Sequence, residues 1–62
     1  MTKITLKMAR EMSGYSVEEV AERVGVSATK IIRLEEKPEK LRASIAIKLR
    51  LLYGIPLDYI KL

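Results

Sequence analysis

The sequence predicts an all-α fold, a compact domain of five short helices spanning residues 1–62. Three observations support that expectation. Apolar residues recur at spacings of three and four along successive segments, as one face of a helix requires. Serines stand where helices would open, at Ser16 and Ser27, and Glu19 follows Ser16 at the third position to complete a capping box. Gly14, Gly25, Pro38, Gly54 and Pro56 fall in the intervals, where helix breakers belong.

The first helix is expected from about Thr5 to Met12. Leu6, Ala9 and Met12 or Ser13 would point inward, with Met8 near the edge, Thr5 or Thr2 as cap and Gly14 as stop. The second opens at Ser16, and its Glu18 and Glu19 lie where the helix dipole favours negative charge. Val17, Val20, Ala21 and Val24 form its inward face; a larger side chain at Ala21 would overpack against a crossing helix at about 1–3 kcal/mol. Gly25 suits the corner because, without a Cβ, it reaches left-handed backbone angles freely. Ser27 then caps a third helix over Ala28 to Glu36, with Ile31 and Leu34 inward and Thr29, Lys30 and Arg33 on other faces. Pro38 prevents smooth continuation. A fourth helix begins near Leu41 or slightly earlier, buries Leu41, Ile45, Leu49 and Leu52, and stops at Gly54; Pro56 can open a last short helix over Leu57 to Leu62.

Residues from about 17 to 36 thus read as two helices joined by a tight turn, with Ala21, Gly25, Val26, Ile31 and Leu34 as its core. This is the helix-turn-helix pattern, whose second helix is displayed for a DNA major groove.

Composition excludes several alternatives. The chain has no cysteine and no histidine, which removes disulfides, thiolate metal sites, the commonest zinc ligand and the usual general base. A 48% hydrophobic content argues against disorder, and no apolar run approaches the length of a membrane span. The opening MTKITLKMAR is basic but lacks the apolar core of a secretory signal, so a cytoplasmic location and no membrane partner are expected. Glu18, Glu19 and Glu22 lie on an exposed acidic face with no base beside them, and the three glycines are isolated rather than a phosphate cradle. No enzyme activity, cofactor or metal is expected.

The formal charge of +4 favours a polyanion, although many proteins without such a partner reach it. Its distribution is more specific. Lys30 and Arg33 lie on the third helix, Lys3, Lys7 and Arg10 precede the motif, and Lys40, Arg42, Lys48 and Arg50 follow it. On the fourth helix Ile47 and Leu51 fall on a flank away from the inward stripe, with Ile55 close behind. Either the terminal helix covers them, or they are scattered exposed apolars, or they form a twofold homodimer interface, which is the expectation adopted here.

Ala9-Arg10, Gly14, Ser16, the Ala21 to Gly25 spacing, Gly25-Val26-Ser27, Ile31, Arg33, Leu34-Glu35 and the closing Gly54-Ile55-Pro56-Leu57-Asp58 together resemble the phage repressor and Cro family, or XRE family, of helix-turn-helix domains. The resemblance implies a five-helix, lambda-repressor-like domain that binds operator DNA as a dimer, in a bacterial, archaeal or phage-infected cell. A Cro-like transcriptional regulator or repressor reading an inverted-repeat operator is its most direct implication. Carried over by position, it makes Ala28, Thr29, Lys30 and Arg33 base-reading candidates, with Arg33 equally suited to phosphate. It makes Ser16, Val17, Ser27, Lys37 and Lys40 phosphate-anchoring candidates, the first two through the start of the second helix. It also pairs Arg10 with Glu35 across the first and third helices as a structural salt bridge.

The chain departs from many relatives in placing Val17 and Ala28 where they have glutamine, and Pro38 where they often have glycine. Val17 supplies no side-chain phosphate bond and Ala28 no bidentate adenine contact. Affinity then depends more on Lys30, Arg33, Lys37 and Lys40, or strong DNA binding has been lost. The rival function is a protein-binding helix-turn-helix module, such as an antirepressor, an adaptor or an antitoxin.

Overall fold

Helices α2 (Val17–Val24) and α3 (Ala28–Glu36) meet at a three-residue turn, Gly25 to Ser27, in a computed structural model that describes residues 3–61. Side chains satisfy the orphan amides at both helix starts. Ser16 Oγ accepts from the Glu19 amide at 3.1 Å, and Glu19 Oε1 accepts from the Ser16 amide at 3.0 Å. Ser27 Oγ accepts from the Lys30 amide at 3.2 Å. At the corner Gly25 has φ +85°, and the Ala21 carbonyl accepts from the amides of both Gly25 and Val26 at 2.8 and 3.0 Å. A side chain at Gly25 would be strained there whatever space surrounds it.

Helix α1 (Leu6–Met12) starts at Thr5, whose hydroxyl accepts from the Met8 amide at 3.1 Å. Helix α4 (Ala43–Tyr53) ends at Gly54, and single 3-10 turns occupy Pro38–Lys40 and Leu57–Tyr59. The core gathers Leu6 and Ala9 from α1, Val20, Ala21 and Val24 from α2, and Ile31 and Leu34 from α3. Ala46, Leu49 and Tyr53 from α4 and Ile60 near the C-terminus complete it. Full burial of each large aliphatic contributes about 1.5–3 kcal/mol.

Four expectations are corrected. Among the described residues there are four α-helices rather than five: after the turn at Leu57–Tyr59 the chain becomes extended and pairs with the start of the molecule. The Ile4 amide donates to the Tyr59 carbonyl at 2.9 Å and the Lys61 amide to the Ile4 carbonyl at 2.7 Å, which leaves Ile60 1% exposed. Continuing a helix would forfeit that pairing. The expected end of the last helix, Leu62, and the alternative cap Thr2 lie outside the described residues.

Helix α4 starts at Ala43, because the Leu41 amide is engaged by the Pro38 carbonyl at 3.0 Å and Leu41 itself is extended. Its buried stripe is Ala46, Leu49 and Tyr53, while Ile45 and Leu52 are only half-buried, as is Leu41 before the helix. Packing selects the face with small Ala46, which permits close approach, and with Tyr53, whose ring lies 6.4 Å from that of Tyr15. On α1, Met12 is 70% exposed rather than inward; the buried face continues through Arg10, and Ser13 Oγ donates to the Ala9 carbonyl at 2.9 Å.

Candidate nucleic-acid interface

Helix α3 is held in place by a bidentate ion pair. Arg10 Nε donates to Glu35 Oε2 at 2.7 Å and Nη2 donates to Oε1 at 3.3 Å, while Nη1 donates to the Tyr15 carbonyl at 3.0 Å. Both side chains are only 10% exposed. The hydrogen bonds with Glu35, opposed by burial, raise the Arg10 pKa, so the guanidinium stays charged. All three nitrogens of its fork are thus engaged within the fold, and neither residue faces the outer surface of α3.

With Ile31, Leu34 and Glu35 turned inward, the exposed residues of α3 are Thr29, Ile32, Arg33 and Glu36. They follow the three- and four-residue spacing of a single helix face. Of the base-reading candidates, Thr29 and Arg33 lie on this face. Lys30 is half-buried at its edge, and Ala28 is half-buried against the core. Ile32 and Glu36 are additional members of the surface that the sequence did not single out. The doublet Ile31-Ile32 held the signal: adjacent helical residues are about 100° apart, so a core position at Ile31 turns Ile32 outward.

Between the end of α3 and the Pro38–Lys40 turn lies a concavity of about 480 Å³. Lys30, Arg33, Lys37 and Lys40 line it together with Leu34 and Glu36, so four cations surround one carboxylate. Such an arrangement suits phosphate oxygens. Pro38 serves this geometry by opening the 3-10 turn that carries Lys40 round to the side of α3.

The start of α2 has the opposite character. Glu19 occupies the Ser16 amide, and those hydrogen bonds from Ser16 lower its pKa and keep it charged beside Glu18. Val17 is half-buried against the core. An anion at this end would compete with Glu19 for the Ser16 amide and hydroxyl and would meet two carboxylates. Ser27 Oγ retains its O–H while capping α3. Two other cations are engaged elsewhere. Lys48 Nζ donates to the Val24 carbonyl at 3.3 Å, and the Arg23 guanidinium sits 5.4 Å from the Tyr15 ring centroid.

On the outer surface of α4, Ile47 is 55% and Leu51 72% exposed, whereas Ile55 is half-buried and packs against the core. Among the described residues no helix is long and apolar enough to cross a membrane, and no group of three or more His, Cys, Asp or Glu side chains is placed to hold a metal ion.

The profile of a helix-turn-helix domain family matches residues 4–62, nearly the whole chain, and the chain belongs to that family, of XRE type. The family is regulatory rather than catalytic, and its domains are binding modules for DNA or protein. No curated protein and no solved structure matches the chain.

Proposed function

We propose that this chain is a sequence-specific double-stranded DNA-binding protein, a small Cro-like transcriptional regulator that places α3 in the major groove. The observation that carries this reading is the juxtaposition on one side of the molecule of the outward face of α3 with the cationic concavity of Lys30, Arg33, Lys37 and Lys40. The first offers base-edge contacts and the second a phosphate track. Thr29 and Lys30 read bases, Arg33 serves either role, and Lys37 and Lys40 anchor the backbone. Ser27, Ser16 and the start of α2 at Val17 are secondary anchors, because Glu18 and Glu19 oppose an anion at Ser16. Ala28, turned partly inward, offers no more than its methyl group.

A second copy joined through Ile47 and Leu51 would present two α3 helices to half-sites about one helical turn apart, roughly 34–36 Å. The same exposed pair, with Val17 and Ala28 in place of amide side chains, favours the second reading, a protein-binding module. Selection of bound sequences from a randomised duplex pool separates them. Recovery of a short inverted repeat supports the regulator, and no retained duplex supports the protein partner.

A further inference from the structure

Ile32 is the purely aliphatic member of the outward face of α3 and is 45% exposed. It stands apart from the core, whereas its neighbour Ile31 is 2% exposed. Thr29 and Glu36, seven residues apart, mark the middle of the exposed face, and Ile32 and Arg33 stand on either side of it. Arg33 borders the cationic concavity, and Ile32 lies across the midline from it, outside that lining. A β-branched residue is a poorer helix former than Lys, Glu or Ala, and its exposed surface contributes nothing to folding. Ile32 is the central residue of the nine in α3, one helical turn beyond Ala28 and Thr29 at the N-terminal end that such helices point at base edges. In the major groove the apolar feature that distinguishes one base from the others is the thymine C5-methyl.

We infer that Ile32 packs against a thymine methyl and so specifies thymine at one position of each half-site. The assignment rests on the DNA-binding function proposed above. It makes Ile32 a specificity-determining residue whose contact is a methyl group rather than a hydrogen bond, and it needs no change in the fold.

The test uses the duplex selected by the wild-type protein, with each thymine replaced in turn by deoxyuridine, which removes the methyl and leaves pairing intact. Loss of one buried methyl should weaken wild-type binding about fourfold at the contacted position and not elsewhere. Ile32→Ala, which keeps a good helix former at an exposed site, should bind thymine and uracil duplexes equally there. Ile32→Val should retain the thymine preference. Wild-type indifference to every substitution, or an undiminished preference in Ile32→Ala, overturns the assignment and leaves DNA binding standing. A pool without sequence preference but with salt-sensitive binding does the same. Failure to bind any duplex removes the DNA-binding function itself, and the assignment with it.

Discussion

Replacing Arg10 by methionine removes the guanidinium of a side chain that is 10% exposed and makes three hydrogen bonds, two to Glu35 and one to the Tyr15 carbonyl. The Glu35 carboxylate, itself 10% exposed, is then stranded without its partner. Breaking one side of such a pair costs about 3–5 kcal/mol, most of it from the uncompensated charge. A domain of 62 residues has a total stability of roughly 3–9 kcal/mol. The single change therefore takes the protein to the edge of unfolding, and its thermal midpoint should fall by at least about 12 °C. Arg10→Met combined with Glu35→Leu should recover most of that loss, since an apolar pair leaves no buried charge unpaired. Urea melts followed by far-ultraviolet circular dichroism on the two singles and the double give the coupling directly. If Arg10→Met costs less than about 1 kcal/mol, the pair behaves as a solvated surface contact and α3 is not held by it.

Three further outcomes follow from particular residues. Burial, reinforced by the Glu35 charge and opposed by Arg10, pushes the Tyr53 phenol up to about 12. A folded pKa above the unfolded value of about 10 means that its contribution is complete below pH 10 and lost as pH rises through about 12. The urea midpoint of the wild type should therefore drop more steeply over that window than that of Tyr53→Phe; equal slopes contradict the assignment. Leu51→Glu should convert dimers to monomers in sedimentation with the helical signal retained, and a wild-type monomer at near-millimolar concentration removes the basis for a preformed dimer. Thr29→Ala and Lys30→Ala should each cost about 1–3 kcal/mol on the preferred duplex and relax one base pair, whereas Lys40→Ala should weaken all duplexes alike and reduce the salt slope by about one. Unchanged specific binding by the folded Thr29 and Lys30 variants would misplace the reading surface.

The segment from Ser16 to Glu36 was legible because its signals are local. Ser16 with Glu19, Gly25 and Ser27 each act within three or four residues of their own position, and α3 occupies Ala28–Glu36 as its spacing predicts. The register of α4 was not legible. Ile45, Ala46, Ile47, Leu49, Leu51, Leu52 and Tyr53 make the helix apolar on nearly every side, so several stripes compete and only packing against the other helices selects one. The bridge between Ile4 and Ile60 joins opposite ends of the chain, and nothing local announces it. Within the candidate interface, Thr29, Lys30, Arg33, Lys37 and Lys40 could be named from charge and position. Ile32 is overlooked there, although the step of about 100° from Ile31 turns it outward, because an isoleucine inside an apolar doublet reads first as core.

The salt dependence of binding tests the central claim most directly. With the duplex selected from a randomised pool, and a scrambled duplex beside it, the association constant is measured from about 50 to 200 mM salt. If Lys37 and Lys40 meet phosphates, with or without Arg33, the logarithmic slope per protomer is between about −1.8 and −2.7 for both duplexes. The selected sequence should stay the tighter of the two throughout. Binding that is flat with salt, or absent from both duplexes, contradicts an α3 interface flanked by a phosphate-gripping cationic concavity.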